Sequence, residues 1–375
     1  MKKRFLGVLL SVAMVAAVLA GCGSSGAKET AAPAGSETEA ASEAASGETE
    51  AASGETEAAG NTGDVITVGF SQVGAESDWR TANSESMKST FSTENGYNLI
   101  FDDAQQKQEN QIAAIRNFIQ QEVDYILLAP VTETGWDTVL QEAKDAEIPV
   151  IIVDRMVNVS DDSLYTAWVG SNFKLEGQKA CEWLKQYAAA KNMSEVNIVD
   201  IQGTIGASAQ IGRTEALNEA VEANGWNLLA QQTGEFTQAK GQEVMESMLK
   251  QYDNINVVYC ENDNEAFGAI EAIKAAGKTV GPDGDILVMS FDTTKQGITD
   301  TLSGDIIVNT ECNPLHGPRV EQIIKQLQAG ETPEKQAYVE EGIYAHGSDV
   351  ASVSIDGTDY EVTEVTQDVV DARAY

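Results

Sequence analysis

From Asp64 to Tyr375, short apolar, β-branched runs alternate with stretches of helical periodicity, and the alternation is gone through twice. The first series reads VITVGF, YNLIFDD, DYILLAP and IPVIIVD, with helical patterns such as ENQIAAIRNFIQQ and TGWDTVLQEAKDA between the runs. Runs that stay apolar without alternating must be covered on both faces, as the strands of a parallel sheet are when helices cross between them. LYTAWVGSN leads away from this first set. A second series follows, VNIVDIQ, WNLLAQQ, INVVYCEN and DILVMSFD, with helices such as NEAFGAIEAIKAAG. About 310 residues exceed what a single core supports. The expectation is an α/β protein of two Rossmann-like, doubly wound lobes. Beyond them, IIVNTEC and the helix RVEQIIKQLQAG point to a return of the chain to the first lobe.

The segment ahead of the lobes has a different character. MKKRFLGVLLSVAMVAAVLAGC opens with basic residues, continues with an apolar run and ends in Leu19-Ala20-Gly21-Cys22, the pattern of a lipoprotein export signal over residues 1–21. The apolar run is short for a membrane span and ends in small residues. Cys22 is then the lipidation site, and a pair of acyl chains would hold the protein at the outer face of the cell membrane, outside the cytoplasm. Residues 22–63 contain the repeated SGETEAA and almost no large apolar side chain, so they are expected to be an extended acidic tether.

In open parallel sheets, ligands bind beyond the carboxyl ends of the strands. The first run, continued as GFSQVGAESDWR, delivers Glu76, Ser77, Asp78, Trp79 and Arg80 to that edge. VIIV is followed by Asp154 and Arg155, VVYCE by Asn262 and Asp263, LVMSF by Asp292, and VNT by Glu311. QGTIGASAQIGR adds Thr204, Ser208 and Arg213 in a glycine-containing turn between strand and helix. Forked Arg, Asp and Asn side chains match vicinal hydroxyls, and an aromatic face covers the apolar side of a sugar ring. Trp79 as stacking face and Arg80 as donor fork fit a monosaccharide.

Other chemistries lack their residues. The glycine turn has neither the dinucleotide fingerprint nor the lysine of a phosphate loop. His316 and His346 stand far apart without ligand spacing, so no metal site is expected. No His or Cys forms a nucleophile–base pair, and the remaining enzymatic option, Asp154 and Asp292 as the two carboxylates of a glycosidase, stands against the fold and the export signal. A formal charge of −35 argues against nucleic acid as a partner. Cys181, Cys260 and Cys312 are read as buried free thiols, with a Cys260–Cys312 bridge as the alternative.

ITVGFSQVGAESDWR, QQKQENQI, APVTETGWDTVLQEAKDAEIPVIIVDR, QGTIGAS, KGQEVMES and GAIEAIKAAG together resemble the sugar-binding proteins of bacterial ABC importers, of the ribose and galactose type and, within it, the galactofuranose-binding kind. The resemblance covers nearly all of Asp64 to about Glu334. It implies the type I periplasmic binding protein fold, two lobes joined by a three-strand hinge that closes on a monosaccharide. The lobes would be 64–169 plus 311–340 and 170–310 plus 341–375, the last segment packing on the second lobe. It further implies a monomer with no cofactor and no catalysis, which delivers a galactofuranose-like sugar to ABC permease subunits. The same trap could instead present its closed form to a chemoreceptor or histidine kinase. Ligand contacts are implied at Glu76 through Arg80, Asp154, Arg155, Arg213, Asn262 and Asp292, with Glu311 at a hinge position.

Overall fold

The computed structural model describes residues 65–375; the export signal, Cys22 and the acidic tether lie outside the described residues. The first sheet is built from β1 (Ile66–Gln72), β2 (Tyr97–Asp103), β3 (Tyr125–Leu128), β4 (Val150–Val153) and β5 (Ala167–Gly170), with α1 (Asp78–Thr90), α2 (Gln108–Gln120) and α3 (Asp137–Asp145) between them. After α4 (Phe173–Ala190) the second sheet begins with β6 (Asn197–Gln202), β7 (Asn227–Thr233), β8 (Val257–Cys260), β9 (Leu287–Asp292) and β10 (Val308–Glu311). Its connections are α5 (Ser208–Asn224), α6 (Gln238–Gln251), α7 (Asp263–Ala275) and α8 (Lys295–Ser303). The chain then returns through α9 (Gly317–Gln328) and β11 (Gln336–Tyr338) to the first sheet. It ends on the second with β12 (Ile343–Ala345), β13 (Ser352–Ile355), β14 (Thr358–Glu364) and α10 (Gln367–Ala372).

Strand order is β11-β5-β4-β3-β1-β2 in one sheet and β13-β14-β12-β10-β9-β8-β6-β7 in the other. Every pairing in the first is parallel, as are those joining β6 to β10 in the second. The run Val150-Ile151-Ile152-Val153 explains why. Ile151 and Val153 pack with Phe70, Met87 and Val320 under α1 and α9, whereas Val150 and Ile152 pack with Phe118, Val139 and Leu140 under α2 and α3. Both faces of β4 are core, so no alternation survives. The second sheet repeats this with Ile198 and Val257 on one side and Val199 and Val258 on the other.

The return differs in detail from the expectation. Val308–Glu311 pairs in register with β9 inside the second sheet, so IIVNTEC is a strand of the second lobe, and the crossing comes only after it. Three segments pass between the lobes: 171–172, 312–316 and 339–342. Opposite them the lobes touch across the cleft. The Glu133 N–H donates to the Gly206 carbonyl and the Met156 N–H to Ser208 Oγ, both at 2.9 Å, while the Asp78 N–H donates to Asn264 Oδ1 at 3.0 Å. The molecule is in a closed arrangement.

Candidate functional site

Both sheets aim the carboxyl ends of their parallel strands at the same cleft. The order β2-β1-β3 makes the end of β1 a topological switch point, where the connections on either side diverge and leave a crevice. There Ser77 caps α1, its Oγ accepting from the Arg80 N–H at 3.1 Å, which fixes the phase of the first helical turn. Trp79 and Arg80 turn inward; the Trp79 indole N–H donates to the Cys312 carbonyl at 2.7 Å and so ties β1's loop to the second crossover.

Arg80 is held on three sides. Its Nε meets Glu76 Oε1 at 3.0 Å, one Nη meets Gln72 Oε1 at 3.3 Å, and the other lies 2.8 Å from Asp154 Oδ2. Burial works against its charge, but Asp154 and then Glu76 outweigh this and push the guanidinium further above the ordinary arginine value. Asp154 follows β4 with φ 65°, a left-handed turn that directs the next residue into the cleft. That residue, Arg155, donates to the Val131 carbonyl at 3.0 Å and lies 5.0 Å from the centre of the Phe236 ring. Burial, and next the charge of Arg80, lower Arg155 to about 10, so it remains a cation at neutral pH.

The second lobe contributes Arg213, whose Nε and Nη2 pair with Glu176 Oε2 at 2.8 and 2.7 Å and whose Nη2 lies 3.4 Å from Asp292. It also donates to the Glu261 carbonyl. Asn262 caps α7 through Oδ1 and donates its amide to the Phe236 carbonyl at 3.1 Å. Burial pushes the Asp292 carboxyl well above the usual carboxylate range.

Between these groups lies a small cavity. Glu76, Ser77, Trp79, Arg80, Asp154, Arg155, Arg213, Asn262 and Asp292 all line it. Three arginines face Glu76, Asp154, Asp292 and Glu176 at close range, so the wall is dense in donors and acceptors yet nearly balanced in charge. Such a wall suits a neutral polyhydroxy molecule, since a phosphate or carboxylate would meet no uncompensated cation. Glu76 Oε2 is buried without a partner, an acceptor left free on the wall.

Three expected contacts fall elsewhere. Asp78 is exposed at the first turn of α1, because the cap at Ser77 turns positions 79 and 80 inward and 78 out. Thr204 is half-buried in its turn and does not reach the cavity. Glu311 is occupied as a brace: Oε1 accepts from Arg373 at 2.7 Å and from the Tyr375 hydroxyl at 2.8 Å, and Oε2 from the Gly342 N–H at 2.9 Å. Conversely, Phe173, Ala209, Phe236 and Cys312 line the cavity and were missed. Phe236 reaches it because Gly203 has no side chain; a Cβ there would stand 1.9 Å from the ring's Cζ. Cys181, Cys260 and Cys312 are free and buried, so the alternative bridge is absent.

Comparison with known proteins decides the family. The periplasmic binding protein domain matches residues 68–310, well over half of the chain. The chain belongs to this family. Among its members, the galactofuranose-binding protein of Escherichia coli (strain K12) is 42% identical over 284 residues, 74% of this chain and 87% of that protein. A Mycobacterium smegmatis structure in complex with β-D-fucofuranose superposes with a TM-score of 0.72 at 44% identity, covering 75% of this chain and 91% of that one. The periplasmic binding component of the arabinose ABC transporter from Shewanella sp. ANA-3, bound to α- and β-L-arabinofuranose, gives 0.70 at 42% identity and covers 75% and 92%. As a periplasmic binding protein the chain has the expected fold of two parallel-sheet lobes.

Proposed function

We propose that this periplasmic binding protein captures a single monosaccharide in its furanose form and delivers it to an ABC permease. The observation that carries the reading is the composition of the enclosed cavity: charge-balanced Arg and carboxylate forks from both lobes, bordered by Trp79, Phe173 and Phe236. Proteins at 42–44% identity to this chain are described with galactofuranose, fucofuranose and arabinofuranose, which supports a five-membered ring. The forks of Arg80, Arg155 and Arg213 would hold hydroxyls, Asp154, Asp292 and Glu76 would accept from them, and the aromatic rings would cover the C–H face. Binding favours the closed arrangement because only there do both walls reach the ring, so sugar shifts the hinge equilibrium by its differential affinity.

Calorimetric titration with L-arabinose, D-galactose, D-fructose and D-ribose, whose aqueous mixtures contain furanoses, tests the reading. One sugar bound per chain is expected; no heat with any of the four would contradict it. Anchoring through lipid on Cys22 is part of the proposal, and is tested by incorporation of labelled fatty acid that Cys22→Ala abolishes.

A further inference from the structure

At the hinge, the three crossovers converge on the buried carboxyl of Glu176 and the part-buried carboxyl of Glu341. Ser171 of the first crossover, Cys312 and Asn313 of the second, and Glu341 of the third meet Glu176 of α4; ligating atoms of Glu176, Cys312 and Glu341 all lie within 4.8 Å of one another. Glu341 Oε1 is occupied, accepting from the Ser171 hydroxyl at 2.6 Å and the Asn313 N–H at 2.7 Å. Glu176 Oε2 is occupied by Arg213, but Glu176 Oε1 is fully buried and has no hydrogen-bond partner. Two ionised carboxylates repel at this separation, and a buried acceptor without a partner beside a second carboxyl is satisfied by a proton between them. A metal ion fits less well, because the Arg213 guanidinium already holds Glu176 and Lys179 donates to the Glu341 carbonyl at 2.8 Å.

We propose that Glu341 carries a proton that it donates to Glu176 Oε1, a latch that joins the three crossovers to the cavity arginine Arg213 in the closed form. Glu176 is then left ionised to hold Arg213. The charges facing the pair are consistent with that division. Burial, and then the charge of Glu176, push Glu341 well above the usual range, whereas Arg213 and Lys179 offset part of the rise that burial imposes on Glu176. Glu311 adds a further negative charge beside Glu341, and burial keeps the Cys312 thiol protonated.

The latch makes closure proton-linked. A Glu341 that meets water when the lobes part returns toward an ordinary carboxyl, so the closed form has the higher pKa. Its contribution is complete below the open-form value and is lost as pH rises through the closed-form value, by up to about tenfold in affinity per pH unit for one proton. His316, beneath Trp79, is not the source: burial lowers it to about 4, and it stays neutral throughout.

The inference rests on the sugar reading for its binding arm and is tested without it by a second arm. Using whichever of the four sugars binds, calorimetry from about pH 6 to about pH 8 in buffers of differing ionisation enthalpy should show weakening affinity and net proton uptake on binding. Glu341→Gln, which keeps a donor for Glu176 and an acceptor for Ser171, should bind equally at both ends of that range and take up no proton through this site. A slope unchanged in Glu341→Gln would place the proton on another buried acid, such as Asp292 or Asp263, and overturn the proposal. Independently of sugar, infrared spectra at neutral pH of the protein held closed by a Met156→Cys/Ser208→Cys disulfide across the cleft should show a neutral carboxylic acid band that is missing when Glu341→Gln is added; identical bands would also overturn it. A failed sugar panel with a positive infrared difference would sink the functional reading and leave the latch standing.

Discussion

Asp154→Asn and Asp154→Ala separate what Asp154 does for the cavity from what it does for the chain. Its carboxylate is 3% exposed and lies 2.8 Å from Arg80. Removing one partner of a buried ion pair costs ~3–5 kcal/mol when the other charge is left uncompensated. Arg80 would not be left so, because Glu76 at 3.0 Å and Gln72 at 3.3 Å remain. The expected loss of fold stability for Asn is therefore about 1–2 kcal/mol. The residue sits at φ 65°, which Asn adopts readily, whereas Ala there adds about 1–2 kcal/mol of left-handed strain. On the sugar side, both variants lose one charge-assisted hydrogen bond, about 1–3 kcal/mol, or roughly 5- to 150-fold in Kd. Denaturant unfolding and calorimetry on the two variants should thus show equal losses of affinity and unequal losses of stability. Wild-type affinity in Asp154→Asn would remove the carboxylate from the sugar contacts; equal stability of the two variants would refute the backbone argument.

Phe236→Ala should weaken sugar binding by about tenfold or more, from lost ring contact of about 1.5 kcal/mol or above, with Arg155 losing its aromatic neighbour as well. Gly203→Ala should reproduce most of that loss from outside the cavity, since its Cβ must displace the same ring; calorimetry on both checks the link. Asp78→Ala and Thr204→Ala should leave affinity within about twofold, because surface changes away from a contact stay within ~0.5 kcal/mol, and a larger effect would return those residues to the site. Cys181, Cys260 and Cys312 should resist a thiol reagent in the native protein and react after denaturation, since burial raises each thiol above its ordinary value.

The strand ends were legible because parallel sheets announce themselves. Once VIIV and VVYC are read as strands with two buried faces, Asp154, Arg155 and Asn262 fall at the cleft edge without further information. Asp78 was misplaced because its direction depends on helix phase, which the Ser77 cap fixes and a residue list does not contain. Phe173 and Phe236 were invisible for the opposite reason. A search among polar groups passes over apolar residues such as Phe173 at the start of α4 and Phe236 in its loop, although Gly203 next to a strand end was a sign that something bulky approaches. Glu311 could not be resolved from sequence at all, since its partners Arg373 and Tyr375 stand more than sixty positions away on the C-terminal segment.

The account stands or falls on what occupies the closed cavity. A crystal structure of the protein grown with the sugar that binds most tightly in calorimetry should show one furanose ring within hydrogen-bonding distance of Arg80, Arg155, Arg213, Asn262 and Asp292, with Phe236 against its C–H face. A sugar bound elsewhere on the surface, or a ring that touches only one lobe, would contradict it.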